Sequence, residues 1–158
     1  MDDPYSPDIP PLTSPEDAPP VRSDTDLLVR WRQLMGPWGF GRRSLWVLWF
    51  NGEGTQLPLV VPVDDIPESP DEQFLVNLMG IIAQVACTDE AESPITVAMA
   101  LSRPGSSRLT DSDRCWAWAL RDHAGRAGVE LWPVHLATRG VVRPLTLDDV
   151  GWVRPRTA

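Results

Sequence analysis

The segment Leu101 to Asp113, LSRPGSSRLTDSD, gathers serines, arginines and aspartates in one short stretch, and three chemistries can be asked of it. Nucleophilic catalysis needs an activated hydroxyl. Ser102, Ser106 and Ser107 are present, but no nucleophile elbow surrounds them and no histidine lies nearby in sequence to serve as base. Anion binding is the second: Arg103 and Arg108, with the free amides that open a helix at Thr110, suit a small anion or a nucleotide phosphate. The third is a local ion pair, Arg103 or Arg108 with Asp111 or Asp113, and this simpler reading is preferred. Elsewhere His123, His135, Cys87 and Cys115 show no metal-ligand spacing, and each histidine reads as structural. The pairs Asp64-Asp65 and Asp148-Asp149 lack the loop glycine and third carboxylate of a calcium site. Eight tryptophans exceed what one small core easily buries. Trp38, Trp118, Trp132 and Trp152 are therefore expected to stay accessible, and tryptophan with arginine is what protein interfaces concentrate.

These residues need elements to position them. Asp24 or Thr25 caps a helix with apolar residues at Leu27, Leu28, Trp31, Leu34 and Met35, ended by Gly36-Pro37, with Arg30 and Arg32 on its solvated flank. Ser44 to Phe50 reads as a buried strand and Asn51 to Gly54 as a hairpin turn. The return strand Thr55–Val63 carries Pro58 and Pro62, which place it at an edge or on a bulge. Ser69-Pro70-Asp71-Glu72 opens a helix, with Ser69 as cap, that runs to about Cys87 and is apolar enough to lie deep against a sheet. Gly80 in its middle costs about 1 kcal/mol relative to alanine and is read as permitting close packing. Pro94 to Leu101 is a continuous apolar run, expected at the centre of the sheet. Thr110 caps a helix over Asp111 to Ala127, with Cys115, Trp116, Ala119, Leu120, His123 and Ala127 along one side and Gly128 as a left-handed C-terminal cap. Val129–Ala137, interrupted by Pro133, and Val141–Leu147 form a closing hairpin.

A capped helix opening Thr-x-x-Asp just after a central strand and a proline loop resembles the JAMM/MPN metalloprotease-like fold, above all its RadC-type branch, over about residues 44–138. Matched outward from Pro104, the two zinc-binding histidine positions of that family become Leu101 and Arg103, the serine becomes Thr110, and the aspartate becomes Asp113. Both imidazoles are missing, and the loop before Thr110 is about one residue short. One carboxylate cannot hold a catalytic zinc that takes three protein ligands. The resemblance therefore implies a metal-free member of the kind that serves protein recognition or scaffolding.

The chain has 158 residues, enough for one ordinary core. Residues 1–21 carry Asp2, Asp3, Asp8, Glu16 and Asp17 with no base, and are rich in proline, which predicts a disordered acidic tail. Residues 22–153 then form the domain, with 154–158 as a flexible end. The net charge is −8, all 14 basic residues are arginine, and no basic stripe exists, which disfavours nucleic acid. No apolar run is long enough to span a membrane, and two cysteines make no disulfide framework, so a reduced cytoplasmic setting is expected. Taken together, the sequence predicts an α/β fold, a mixed β-sheet covered by about three helices. It would act without cofactor or catalytic metal as a protein-interaction module or homodimer. The alternatives are an anion or nucleotide sensor using the 102–110 loop and a zinc hydrolase with displaced ligands, in which Asp113 would cluster with His135 or His123.

Overall fold

A computed structural model describes residues 18–35, 39–88 and 94–146. The predicted 1–17 part of the tail, Trp38, Trp152 and the C-terminal end lie outside the described residues. The order is α1 (Asp24–Met35), β1 (Ser44–Phe50), β2 (Gln56–Asp64), α2 (Glu72–Thr88), β3 (Thr96–Ser102), α3 (Asp111–Ala127), β4 (Glu130–Leu131), β5 (His135–Thr138) and β6 (Val141–Pro144). The class is the expected one, three helices on a six-stranded mixed sheet.

The strand order is β2-β1-β3-β5-β6, with β4 also pairing β3. The apolar run of β3 is central and buried on both faces, as its continuous hydrophobicity requires. β1 runs antiparallel to β2 and β3, whereas β4 and β5 run parallel to β3, so α3 is the crossover between parallel strands. β2 lies at the edge and its pairing with β1 shifts register between Leu48 and Phe50, which accommodates a strand that carries Pro58 and Pro62. The opposite edge, β6, ends in Pro144. Pro133 splits the predicted strand at 129–137: Val97 pairs with Leu131 but Ala100 with His135, so one extra residue is absorbed. Side-chain alternation changes phase across it, and Leu131, Val134 and Leu136 all face the same core.

Each sheet face supports its own core. Leu45, Val47, Trp49, Met99 and Leu136 meet Leu75, Leu78 and Ile82 of α2 and Trp116 and Leu120 of α3. Leu48, Phe50, Ala98, Ala100 and Ala137 meet Leu27, Trp31 and Met35 of α1. The molecule is thus a three-layer sandwich, with alternate residues of β1 and β3 serving opposite sides.

Several expectations are corrected. The domain does not begin at residue 22, because Val21 is 2% exposed in the α1 core and its N–H donates to the Gly54 carbonyl at 2.8 Å. Gly54 is required there: its φ is +85°, and a Cβ would lie 2.3 Å from the Val21 oxygen. Arg30 is no solvated flank. It is buried, donates to Gln56 Oε1 at 2.6 Å and to the Pro19 carbonyl, and lies 6.0 Å from the Phe50 ring centroid. Burial lowers its pKa from the ordinary arginine value, with Asp26 opposing. α2 is capped by Asp71 instead of Ser69, the Phe74 N–H donating to Asp71 Oδ2 at 2.8 Å. That helix covers the sheet with one face only, and nothing packs against Gly80. On α3 the buried residues are Asp113, Trp116, Ala117, Ala119, Leu120 and Ala124, so Trp116, Ala119 and Leu120 of the predicted stripe are buried, whereas Cys115 and His123 are half-buried and Ala127 is exposed.

Candidate functional site

The Leu101–Asp113 segment leaves the C-terminal end of central strand β3 and turns into α3. In sheets of this kind that position, where a parallel strand hands over to a helix, is where ligands commonly sit. The helix begins as predicted. Thr110 Oγ1 accepts the Asp113 N–H at 3.2 Å while Asp113 Oδ2 accepts the Thr110 N–H at 2.9 Å, a reciprocal capping box. A carboxylate fixed in this way presents its remaining acceptor capacity toward β3.

Arg103 fills that space. Its Nε donates to Asp113 Oδ1 at 2.8 Å and its Nη2 to Asp113 Oδ2 at 2.6 Å, a bidentate pair with both side chains buried. Nη1 donates to the carbonyls of Pro104 at 3.0 Å and Ser106 at 2.9 Å, and Nη2 also donates to Arg108 O at 3.0 Å. A guanidinium has five N–H groups, and these contacts engage all of them. Burial alone would raise the Asp113 pKa. The hydrogen bonds from Arg103 and Thr110 and the Arg103 charge outweigh it and hold the carboxyl below its ordinary value.

The loop is thereby wound around its own arginine. Pro104, Gly105, Ser106 and Arg108 remain exposed on its outside, and Arg108 contributes its main-chain carbonyl to the cluster. Of the three serines, Ser102 is buried and accepts Trp46 Nε1 at 2.9 Å, so its hydroxyl faces the interior on the α1 side. The cluster is bolted to the rest of the fold by α3: Trp116 Nε1 donates to Pro67 O at 2.9 Å and Arg43 Nη1 to Ser112 Oγ at 2.9 Å.

The zinc-binding arrangement implied by the resemblance does not fit these side chains. Leu101 offers no donor, Arg103 is itself a cation, and both Asp113 oxygens already accept its N–H groups. Nor do the histidines approach. His135 faces α1, with its Nδ1 3.0 Å from Pro133 O, and burial lowers its pKa against the opposing influence of Pro133 and Asp24. His123 contacts Ala119 O on α3 at 3.0 Å. Among the described residues no group of three or more His, Cys, Asp or Glu side chains is placed to hold a metal ion.

The predicted aromatic residues separate. Trp118 is half-buried against the α2/α3 core. Trp132 is half-buried too, its Nε1 donating to Thr96 Oγ1 at 2.9 Å, and one side of it lines a cleft of about 530 Å³ at the end of the sheet opposite the Arg103 loop. Val129, Leu131, Pro133, Pro144 and Leu145 supply apolar walls, and Asp24 and Arg121 supply one charge of each sign. Sequence reasoning reached Trp132 but not its neighbours. They come from α1, α3, the β4–β5 connection and the end of β6, and the one local signal was the pair of prolines at which the strands break. No protein-family model matches the chain, and no curated protein matches its sequence.

Proposed function

We propose that the chain is a non-catalytic protein-recognition domain of JAMM/MPN-like kind, in which an internal guanidinium stands where that family places metal. One observation carries the reading: Arg103, matched to a metal-ligand position, is bound on all five N–H groups and neutralises Asp113, the matched aspartate. A site that satisfies itself offers neither an open coordination position nor a free base. The same closure speaks against the anion-sensing alternative, because its principal cation is already committed. Among the described residues the Trp132 cleft offers a partner a docking place, with a volume and apolar lining that suit an inserted side chain. The free thiols of Cys87 and Cys115 fit a reducing, cytoplasmic setting.

Gly125 tests this reading. It lines the cleft on the exposed side of α3, and a side chain added there meets nothing within 4 Å. Gly125→Arg therefore sets a long charged side chain at the wall of the cleft without disturbing the core. Proteins retained by the tagged full chain from its native lysate should include a reproducible partner that Gly125→Arg loses and Leu59→Glu, a surface change on β2, keeps. Retention of the same partner by both variants would remove the cleft from the proposal. Thermal stabilisation by inorganic phosphate that Arg108→Ala abolishes would favour anion sensing instead.

A further inference from the structure

We propose that the Trp132 cleft is occupied by the chain's own segment beyond Thr146, with Asp148 and Asp149 drawn to Arg121 and Trp152 seated between the apolar walls, so that a protein partner has to displace it. The seating stands on the cleft and the sequence, whereas the competition rests on the recognition role proposed above.

The point at which the chain leaves the sheet selects this occupant. β6 runs antiparallel to β5 and delivers Pro144 opposite His135, where Pro144 lines the cleft. The Leu145 N–H then donates to the Val134 carbonyl at 2.7 Å and its side chain is buried, so the exit is held in place. Thr146 is exposed and lines the cleft itself, which starts Leu147 at the wall. Of the residues that border a stretch outside the described ones, Ala18, Met35, Gly39, Thr88, Pro94 and Thr146, Thr146 alone lines the cleft. A segment tethered this closely meets the site at an effective concentration on the order of millimolar, so contacts too weak to hold a free peptide suffice to hold it.

The chemistry of the segment matches the walls. Val129, Leu131 and Leu145 are apolar, and Arg121 from α3 and Asp24 from α1 add one charge each, from helices on opposite faces of the sheet. Among the described residues neither charge is in an ion pair. Beyond Thr146 the sequence is Leu-Asp-Asp-Val-Gly-Trp-Val-Arg: two acids before the tryptophan for Arg121, and Arg154 after it for Asp24. Fully extended, the six residues to Trp152 would carry it ~20 Å away. Aspartate at the first place and glycine at the fourth favour a turn over 148–151, which returns Trp152 to the cleft instead. An indole has about 150–250 Å² to bury, and an apolar cleft of about 530 Å³ admits it. Ala124 and Gly125 keep the α3 wall low where its edge would lie.

Disulfide trapping in the full chain tests the seating. In a Cys87→Ser, Cys115→Ser background, Gly125→Cys with Val153→Cys should close an intramolecular disulfide roughly tenfold or more faster than Leu59→Cys, on the far edge strand, with Val153→Cys. Arg121→Glu should slow that closure at low salt, and adding Asp148→Arg and Asp149→Arg should restore it. Trp152→Ala should slow it as well. Closure no faster than the Leu59→Cys control, or disulfides that join two chains, would overturn the seating whatever partner is found. The competition is read separately: a partner that Gly125→Arg loses should be retained in greater amount by Trp152→Ala than by the unaltered chain, and equal retention would overturn it. Rapid closure without any partner sensitive to Gly125→Arg would uphold the seating and remove the recognition role.

Discussion

Arg103 and Asp113 sit together in a part of the molecule that water does not reach, and each answers for the other's charge. Removing one partner of such a pair strands the other, so Arg103→Ala should lower unfolding free energy by about 3–5 kcal/mol in chemical denaturation. Arg103→Lys should recover only part of this, since an ammonium has three donors in place of a five-donor fork. Acidity gives a second readout. The folded-state pKa of Asp113 is depressed, so its contribution is complete above its unfolded value of about 4 and is lost as pH falls through the lower folded value. Without Arg103, burial is opposed by the Thr110 hydrogen bonds alone, and the pKa rises from its depressed value. The deficit of Arg103→Ala should therefore shrink as acid protonates the stranded carboxyl, a convergence measurable by denaturation at successive pH values.

At the N-terminus of α3, Asp113 serves cap and ion pair at once, and the two functions should not add. Thr110→Ala alone is expected to cost about 1 kcal/mol. Combined with Arg103→Ala it should cost measurably less than the sum, because the Thr110 side chain accepts the Asp113 N–H and so helps fix the carboxylate that Arg103 grips, and that carboxylate can relax once either is gone. A double-mutant cycle on stability checks this. Elements were legible where their signals are local. Thr110 and Gly128 bracket α3 as capping residues do, the aromatic and β-branched run of β1 declares a strand, and the prolines of β2 mark an edge. Facing was harder. The predicted stripe of α3 includes Trp116, Ala119 and Leu120, which are buried, but also His123 and Ala127, and it misses Asp113, whose partner lies ten residues back in the loop after β3. Arg30 shows the same limit, since an arginine between Val29 and Trp31 has every local attribute of a solvated flank. Its acceptors, Gln56 and Pro19, are brought to it only by the tertiary fold. The cleft at Trp132 assembles from four separated stretches and leaves no periodic trace.

Across the whole molecule, the segment before α1 belongs to the body. It supplies an acceptor for buried Arg30 and places Val21 in the α1 core. A chain starting at Ser23 should be roughly 3 kcal/mol less stable than one starting at Ala18, from lost apolar burial and an orphaned guanidinium donor, and paired denaturation curves would show it. Two cores back to back on one sheet also mean that damage on the α1 side reaches the Arg103 loop only through the strands they share. The edges of that sheet have a different consequence. Two of the nine residues of β2 are prolines, and β6 closes on Pro144, so both borders present interrupted rows of amide donors. A seventh strand, from a neighbour in a crowded cell or from a nascent copy emerging from the ribosome, finds no continuous template there. The fold is thereby guarded against fibrous polymerisation, and any association it makes is directed to its helices and loops.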